Sequence, residues 1–210
     1  MTKQVIKDLI AFALIIALLL IVDFPLNAAL ALGVILILSF KGKGIKEELG
    51  LAWPANFPRT ILMAIALASV ILTLSYFVVL PITENLTGRK LQFGIFEQLR
   101  GNSSALLGSI AGGWIVGGII EELIFRSYLI GCVLSSLENK WLTILKVSFS
   151  SALFGYMHHY QGPSGQILIA FVGLLLAIIF LVNKKNLWLN IFTHGFVNTI
   201  SMTVICYYPI

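Results

Sequence analysis

The chain has 210 residues, of which 59% are hydrophobic and only 11% are charged. A soluble domain carries roughly 25% charged residues, so this composition excludes an ordinary water-soluble protein and indicates a chain that lies in a membrane. The net charge of +5 lies mostly in the short segments between apolar stretches, a distribution typical of membrane topology and not of nucleic-acid binding.

Apolar stretches long enough to cross a bilayer recur along the whole chain. No repeat, low-complexity tract or linker separates them, so we expect one all-α domain over residues 1–210, a polytopic transmembrane bundle of about seven spans. Most lysines and arginines fall on one side of this bundle if the N-terminus is cytoplasmic. We expect an integral protein of a prokaryotic plasma membrane, in contact with the lipid bilayer. The stretches cover residues 9–22, 26–40, 60–80, 104–130, 142–159, 164–182 and 187–207.

Two adjacent glutamates, Glu121 and Glu122, interrupt the fourth apolar stretch. Ionisable groups at membrane depth are costly, rare and usually functional. Glu122 and Arg126 are spaced i, i+4 and can pair on one helix face. Neighbours in an α-helix point about 100° apart, so Glu121 projects elsewhere, on the side of Gly117 and Gly118, which let another helix come close. The pattern predicts a structural ion pair between Glu122 and Arg126 and leaves Glu121 for chemistry; the reverse assignment of the glutamates is the alternative.

All three histidines lie in or at the end of apolar stretches. His158 follows Phe154 by four residues, which places an aromatic ring beside the imidazole. Asn190, His194 and Asn198 form an i, i+4, i+8 stripe on one face of the last stretch. Buried polar groups can also simply link helices, at about 0.6–2 kcal/mol for each contact. A carboxylate, two histidines and an asparagine on three separate spans instead indicate a shared site.

Three segments resemble the motifs of the CPBP intramembrane proteases: Glu121-Glu122-x-x-x-Arg126, Phe154-x-x-x-His158 and His194-x-x-x-Asn198. This family includes the CAAX-processing endopeptidase and the bacterial bacteriocin-processing and self-immunity proteins, also called Abi proteins. The motifs stand in the family's order within residues 117–198, and the resemblance extends over about Leu91 to Asn198. Ser127 departs from the pattern, because the family often has glycine after the arginine.

The resemblance implies an intramembrane endopeptidase, which hydrolyses a peptide bond in or near the bilayer and whose partner is a peptide or membrane-protein substrate. It implies that Glu121 and His158 bind and activate a water molecule. It also implies that His194 and Asn198 stabilise the oxyanion of the tetrahedral intermediate. Donors aimed at a developing oxyanion can contribute about 3–4 kcal/mol each.

Metal dependence is left open by the residues. One glutamate and two histidines form a common zinc set, so Glu121, His158 and His194 are the ligands if a divalent metal such as zinc is used. A metal-free, glutamate-dependent site is slightly favoured, because Asn198 suits an oxyanion role and no outer carboxylate that would orient the histidines is evident. The cofactor is therefore either none or a divalent metal.

Three other interpretations assign the chain to a different functional class. Gly162-Pro163-Ser164-Gly165 resembles the GxSG of rhomboid serine proteases, with His194 as base; the structural alternative is a turn in which Ser164 caps the next helix. A non-catalytic membrane immunity or scaffold protein could use the same polar network for binding. A transporter could relay protons through glutamate and histidine, but no inverted repeat is visible.

The positions of the motifs along their helices predict a staggered arrangement. If the fifth span begins at Trp141, His158 lies roughly 25 Å along it, whereas Glu121 and His194 lie nearer mid-membrane. These side chains converge only if that helix begins deeper, near Leu145, or if the helices are staggered. We expect stagger around a water-filled cavity.

Overall fold

The computed structural model describes residues 3–21, 26–39 and 45–208, and all regular secondary structure among them is helical. The all-α prediction is therefore confirmed for the described part of the chain. The α-helices are α1 (Lys3–Ile21), α2 (Leu26–Ser39), α3 (Ile45–Glu48), α4 (Phe57–Leu74), α5 (Leu80–Thr87), α6 (Ser103–Gly112), α7 (Lys140–Met157), α8 (Gly162–Val182) and α9 (Trp188–Tyr207).

Two long helices contain π-helical turns. A π-helical segment at Ser75–Val79 joins α4 to α5. A longer run continues α6 through Gly113–Glu121 and Leu123–Cys132. We call the whole of Ser103–Cys132 the glutamate helix, because both glutamates of the first motif lie at the junction of its two π-helical segments.

Four helical segments of the described chain are long and apolar enough to cross a membrane. In Phe57–Thr87 and in Ser103–Cys132, only 22% of the most apolar stretch is buried inside the protein, so most of those side chains face outwards. Such surfaces are compatible with a helical membrane bundle, since lipid offers them an apolar environment. These segments are Phe57–Thr87, Ser103–Cys132, His159–Val182 and Trp188–Tyr207.

The number of spans and the cytoplasmic N-terminus stay predictions. Helices occupy the positions of the other three predicted spans, namely α1, α2 and α7, but none of them is among the four long apolar segments. Residues 22 and 40, at the ends of the first two predicted spans, lie outside the described residues.

The main apolar core lies where α7, α8 and α9 pack against the second half of the glutamate helix. Phe154 of α7 and Phe180 of α8 are each 1% exposed within it. Phe125 of the glutamate helix packs edge-on against Phe154, with ring centroids 5.0 Å apart. A nearby hydroxyl stabilises the π-helical backbone, because Ser150 of α7 donates a hydrogen bond to the Phe125 carbonyl at 2.9 Å. This packing fixes the depth at which the first motif meets the other two.

Close approach between the glutamate helix and α9 depends on glycine. A Cβ atom at Gly118 would lie 3.2 Å from the Ile191 carbonyl oxygen, and one at Gly113 would lie 3.2 Å from Cβ of Asn198. Both separations are shorter than ordinary carbon contacts, so a larger residue would push the helices apart. The prediction that glycines in this region admit another helix is confirmed.

Candidate active site

The two glutamates of the first motif face the two nitrogens of a single imidazole. Glu122 Oε1 accepts a hydrogen bond from His194 Nδ1 at 2.8 Å, and Glu121 Oε2 lies 3.8 Å from His194 Nε2. The two glutamates therefore approach the imidazole from different sides, and Glu121 is on the side of Gly117, where an added Cβ would lie 3.3 Å from the same Nε2. Both lie at the junction of two π-helical segments, and the assignment of Glu121 to the chemistry stays a prediction.

Glu122 and Arg126 form the ion pair that their spacing predicts. Arg126 Nη1 donates to Glu122 Oε1 at 2.9 Å, and the two side chains are 1% and 0% exposed. Arg126 Nη2 also donates to the Gly173 carbonyl of α8 at 3.2 Å, and the guanidinium lies 4.6 Å from the ring centroid of Phe154. Buried charges persist only when they are paired, so this cluster holds the glutamate helix against α7 and α8.

The contact with Glu122 determines which nitrogen of His194 is available. Because the Glu122 carboxylate accepts hydrogen bonds, His194 Nδ1 carries a proton and Nε2 is the nitrogen directed at Glu121. No outer carboxylate for the histidines was evident in the sequence, and Glu122 is now seen to fill that position. One argument for a metal-free site is thereby removed, since such carboxylates commonly orient metal-binding histidines.

His158 lies directly after the last residue of α7. Its Nδ1 donates to the Phe154 carbonyl oxygen at 2.8 Å, which leaves Nε2 unused in the neutral ring. The Phe154 ring lies between the two histidines, with centroid distances of 4.8 Å to His158 and 5.9 Å to His194. The second motif therefore lies beside the third, with Phe154 in contact with both histidines.

The helices are staggered, as the motif positions predict. α7 begins at Lys140 and not near Leu145, so His158 lies at its C-terminal end. Glu121 and His194 instead lie within their helices. The end of α7 thereby lies beside the middle of α9, where the Phe154 ring packs against His194.

Asn198 borders the site from α9. Its Nδ2 donates to the Gly113 carbonyl of the glutamate helix at 2.9 Å, which uses one of the two N–H groups of the amide. A Cβ atom at Gly117 would collide with this amide and would lie 3.3 Å from His194 Nε2. The absence of a Cβ at Gly117 therefore leaves room for the Asn198 amide and for His194 Nε2.

Access to the site comes from its partly exposed members. The Glu121 side chain is 17% exposed, and His158 and Asn198 are half-buried. A water-filled cavity stays a prediction. Two cavities of about 320 and about 400 Å³ lie elsewhere, the first lined by Val116, Ile120 and the start of α2, and the second by residues between Pro81 and Lys90.

The predicted metal ligands do not form a metal centre as they stand. Among the described residues, no group of three or more His, Cys, Asp or Glu side chains is arranged to hold a metal ion. His158 and His194 each have Nδ1 engaged in a hydrogen bond, so only Nε2 of each could bind one. The ligand set Glu121, His158 and His194 stays a prediction.

Ser164 does not have the surroundings of a nucleophile. It is 0% exposed, and its hydroxyl contacts Thr87 Oγ1 at 2.6 Å and the Arg89 carbonyl oxygen at 2.5 Å. These contacts tie the beginning of α8 to the end of α5. The prediction that Ser164 caps the next helix was wrong, because α8 begins at Gly162 and its preceding residue makes no side-chain cap.

Two residues had no assigned role in the sequence and lie at the site. Asn190 of α9 donates to Glu122 Oε2 at 3.2 Å, and the i−4 spacing from His194 placed it on the correct face. Tyr160 packs against His158 with ring centroids 5.6 Å apart. Tyr160 lies two residues after His158 and belongs to none of the three motifs, so the sequence did not indicate it.

Comparison with known families identifies the segment that contains this site. Residues 103–200, just under half of the chain, match the family model described as type II CAAX prenyl endopeptidase Rce1-like. The matched segment contains all three motifs, so the resemblance to CAAX proteases is confirmed there. It supports an enzyme of the CAAX-type protease class that is integral to a membrane. No curated protein and no solved structure matches the chain.

Proposed function

Because the segment that carries the site matches a family of CAAX prenyl endopeptidases, we propose that the chain is an intramembrane endopeptidase. Its substrate is a peptide or membrane protein cleaved in or near the bilayer. The observation that carries the proposal is the position of Glu121. Its carboxylate lies 3.8 Å from His194 Nε2, beyond hydrogen-bond distance, and is therefore not locked to that ring.

The reaction begins with a water molecule held by Glu121 and His158. Glu121 removes a proton as the water oxygen attacks the scissile carbonyl carbon, a role for which a positioned carboxylate is suited. The C=O bond opens to a tetrahedral oxyanion. When this intermediate collapses, the C–N bond breaks and the proton held by Glu121 passes to the leaving amine.

The oxyanion is stabilised from α9. His194 Nε2 faces the same space as the Glu121 carboxylate and donates to the oxyanion when it carries a proton. Asn198 contributes the N–H that the Gly113 carbonyl does not use. Removal of such a donor commonly lowers kcat by about 10²–10³.

We further propose that the chain uses no metal. The support is the side-chain arrangement, in which Glu121, His158 and His194 do not form a three-ligand group. Activity after dialysis against EDTA should therefore equal that of the untreated protein. Loss on dialysis followed by recovery with zinc would contradict this part of the proposal.

Purified protein in detergent tests the proteolysis directly. The probe is a farnesylated CAAX peptide with a fluorophore and a quencher on either side of the cleavage site, together with its unprenylated form. Glu121→Gln should lower kcat/KM at least about 100-fold, because a general base typically contributes 10²–10⁴. Ser164→Ala should cleave like the wild type.

Cleavage that survives in Glu121→Gln but is lost in Ser164→Ala would overturn the assignment and favour the serine mechanism. Wild-type protein that is folded but cleaves neither probe nor a library of membrane-protein segments would favour an immunity or scaffold protein. In that case Glu121→Ala and His194→Ala should keep the full biological effect.

A further inference from the structure

Asn190 lies outside the three motifs and is completely enclosed at the centre of the polar cluster. It is 0% exposed on α9, one helical turn before His194. Its Nδ2 donates to Glu122 Oε2 at 3.2 Å and to the Leu176 carbonyl oxygen of α8 at 2.7 Å. One amide thus connects the glutamate helix, α8 and α9.

The orientation of the Asn190 amide follows from its neighbours. A carboxylate and a carbonyl both accept hydrogen bonds, so the NH₂ group must face them. The Asn190 Oδ1 atom points the other way and has no hydrogen-bond partner among the residues that the structure describes. An unpaired buried acceptor is unfavourable, so the position is occupied for its two donors and not for its oxygen.

The two oxygens of Glu122 are held by different partners. Oε1 accepts from both Arg126 Nη1 and His194 Nδ1. Within the described part of the chain, the hydrogen bond to Oε2 comes from Asn190. A carboxylate held at one oxygen can still rotate about that contact, whereas one held at both has a fixed plane.

We propose, on the basis of the proposed function, that Asn190 is a positioning residue that fixes the Glu122 carboxylate and, through it, the imidazole of His194. With Glu122 fixed, Nδ1 of His194 stays protonated and Nε2 stays directed at Glu121 and the oxyanion. Without Asn190, Glu122 turns away and the imidazole loses its defined orientation. Small misplacements of this kind can greatly slow an enzyme, even when no catalytic group is removed.

Two substitutions distinguish the hydrogen bonds that Asn190 donates from the packing of its side chain. Asn190→Leu is similar in size and removes both donors, and Asn190→Asp keeps the shape but replaces them with acceptors. Both should lower kcat about 10–100-fold with KM little changed, as when the outer partner of an active-site histidine is lost. Thr193→Val is the control, because Thr193 is equally buried on α9 but its hydroxyl donates to the Leu189 carbonyl of the same helix.

A spectroscopic readout keeps the inference independent of activity. In ¹⁵N-histidine-labelled wild-type protein, the Nδ1–H proton of His194 should be protected from exchange, and it should broaden or vanish in Asn190→Leu and Asn190→Asp. If wild type cleaves no substrate but this proton behaves as described, the proposed function fails and the positioning role stands. A folded Asn190→Asp with wild-type kcat and an unchanged His194 resonance would overturn the role of Asn190.

If neither variant folds, the wild-type protein still decides. The Asn190 side-chain amide protons should then exchange as slowly as the His194 Nδ1–H proton, because they belong to one hydrogen-bonded unit. Rapid exchange of the Asn190 amide in folded wild-type protein would contradict the proposal.

Discussion

Ser127 follows Arg126 in the glutamate helix and is 0% exposed. Within the described ranges its hydroxyl has no hydrogen-bond partner, unlike the carboxylate of Glu122 one turn earlier. Members of the family that the motifs resemble often have glycine at this position, so the extra atoms of serine must fit the packing without a polar contact. Burial of this hydroxyl therefore lowers the stability of the fold, because the lost contact with water is not replaced by a hydrogen bond.

Replacement of Ser127 by alanine should stabilise the protein by about 1 kcal/mol, since a buried unsatisfied polar group is removed and no contact is lost. Thermal unfolding of the purified protein in detergent measures the change as a raised Tm. Ser150→Ala is the matched comparison, because that hydroxyl does donate to the Phe125 carbonyl, and its loss should lower Tm. A lower Tm for Ser127→Ala would show that Ser127 has a partner in solution.

The glutamate helix is the element on which the site depends most. Its π-helical segments bring Glu121 and Glu122 to opposite sides of His194, and its glycines bring α9 close enough for those contacts. π-helical turns within helices often occur at functional sites. The backbone of this element therefore matters to the site as much as its side chains do.

Gly117→Ala should reduce cleavage strongly, because the new Cβ would displace the Asn198 amide and press on His194 Nε2. Gly108→Ala is the control on the same helix, where no atom of the described part of the chain lies within 4 Å of the added Cβ. It should be neutral or stabilising by roughly 0.5–1 kcal/mol, since alanine favours helix. Equal kcat/KM for Gly117→Ala and the wild type would mean that the close approach of α9 is not needed for activity.

At the scale of the whole molecule, an ionic cluster secures the end of the helix bundle away from His158. Lys146 of α7 is 7% exposed and donates to the Val133 carbonyl at 3.0 Å, directly after the glutamate helix. It also donates to Glu138 Oε2 at 2.6 Å, and Lys185 lies 4.0 Å from the same oxygen. The cluster ties the glutamate helix to α7 and to the turn between α8 and α9.

Stability should fall in acid as this cluster is lost. Partial burial opposes ionisation of Glu138, but hydrogen bonds from Lys146 and Thr143 outweigh it and hold its pKa below the usual 4.5. Between the lowered pKa of Glu138 and about pH 4.5, the unfolded chain binds more protons than the folded one. The stabilisation that Glu138 provides is therefore complete above about pH 4.5 and declines as the pH falls through the lowered pKa. Glu138→Gln should have a lower Tm than wild type at pH 7, and the difference should shrink in acid. A Tm difference that is constant with pH would contradict this account.

Composition and charge placement determine the class of this protein. Long apolar stretches with a few ionisable groups at membrane depth are typical of a helical bundle with those groups turned inwards, because lipid satisfies neither backbone nor charge. The i, i+4 spacing is enough to predict the pair Glu122–Arg126, since both residues lie on one helix. The motif order is enough to indicate Glu121, His158, His194 and Asn198 as a set.

Contacts between helices were decided only by the tertiary structure. Three contacts depend on the rotation and depth of separate helices. Glu122 accepts a hydrogen bond from His194, Asn190 donates to the second oxygen of Glu122, and Ser164 bonds to the end of α5. These depend in turn on π-helical turns and on close packing at glycines, neither of which follows from α-helical periodicity. Spacing along one helix is local, whereas the partners of a buried carboxylate are chosen by how three helices pack.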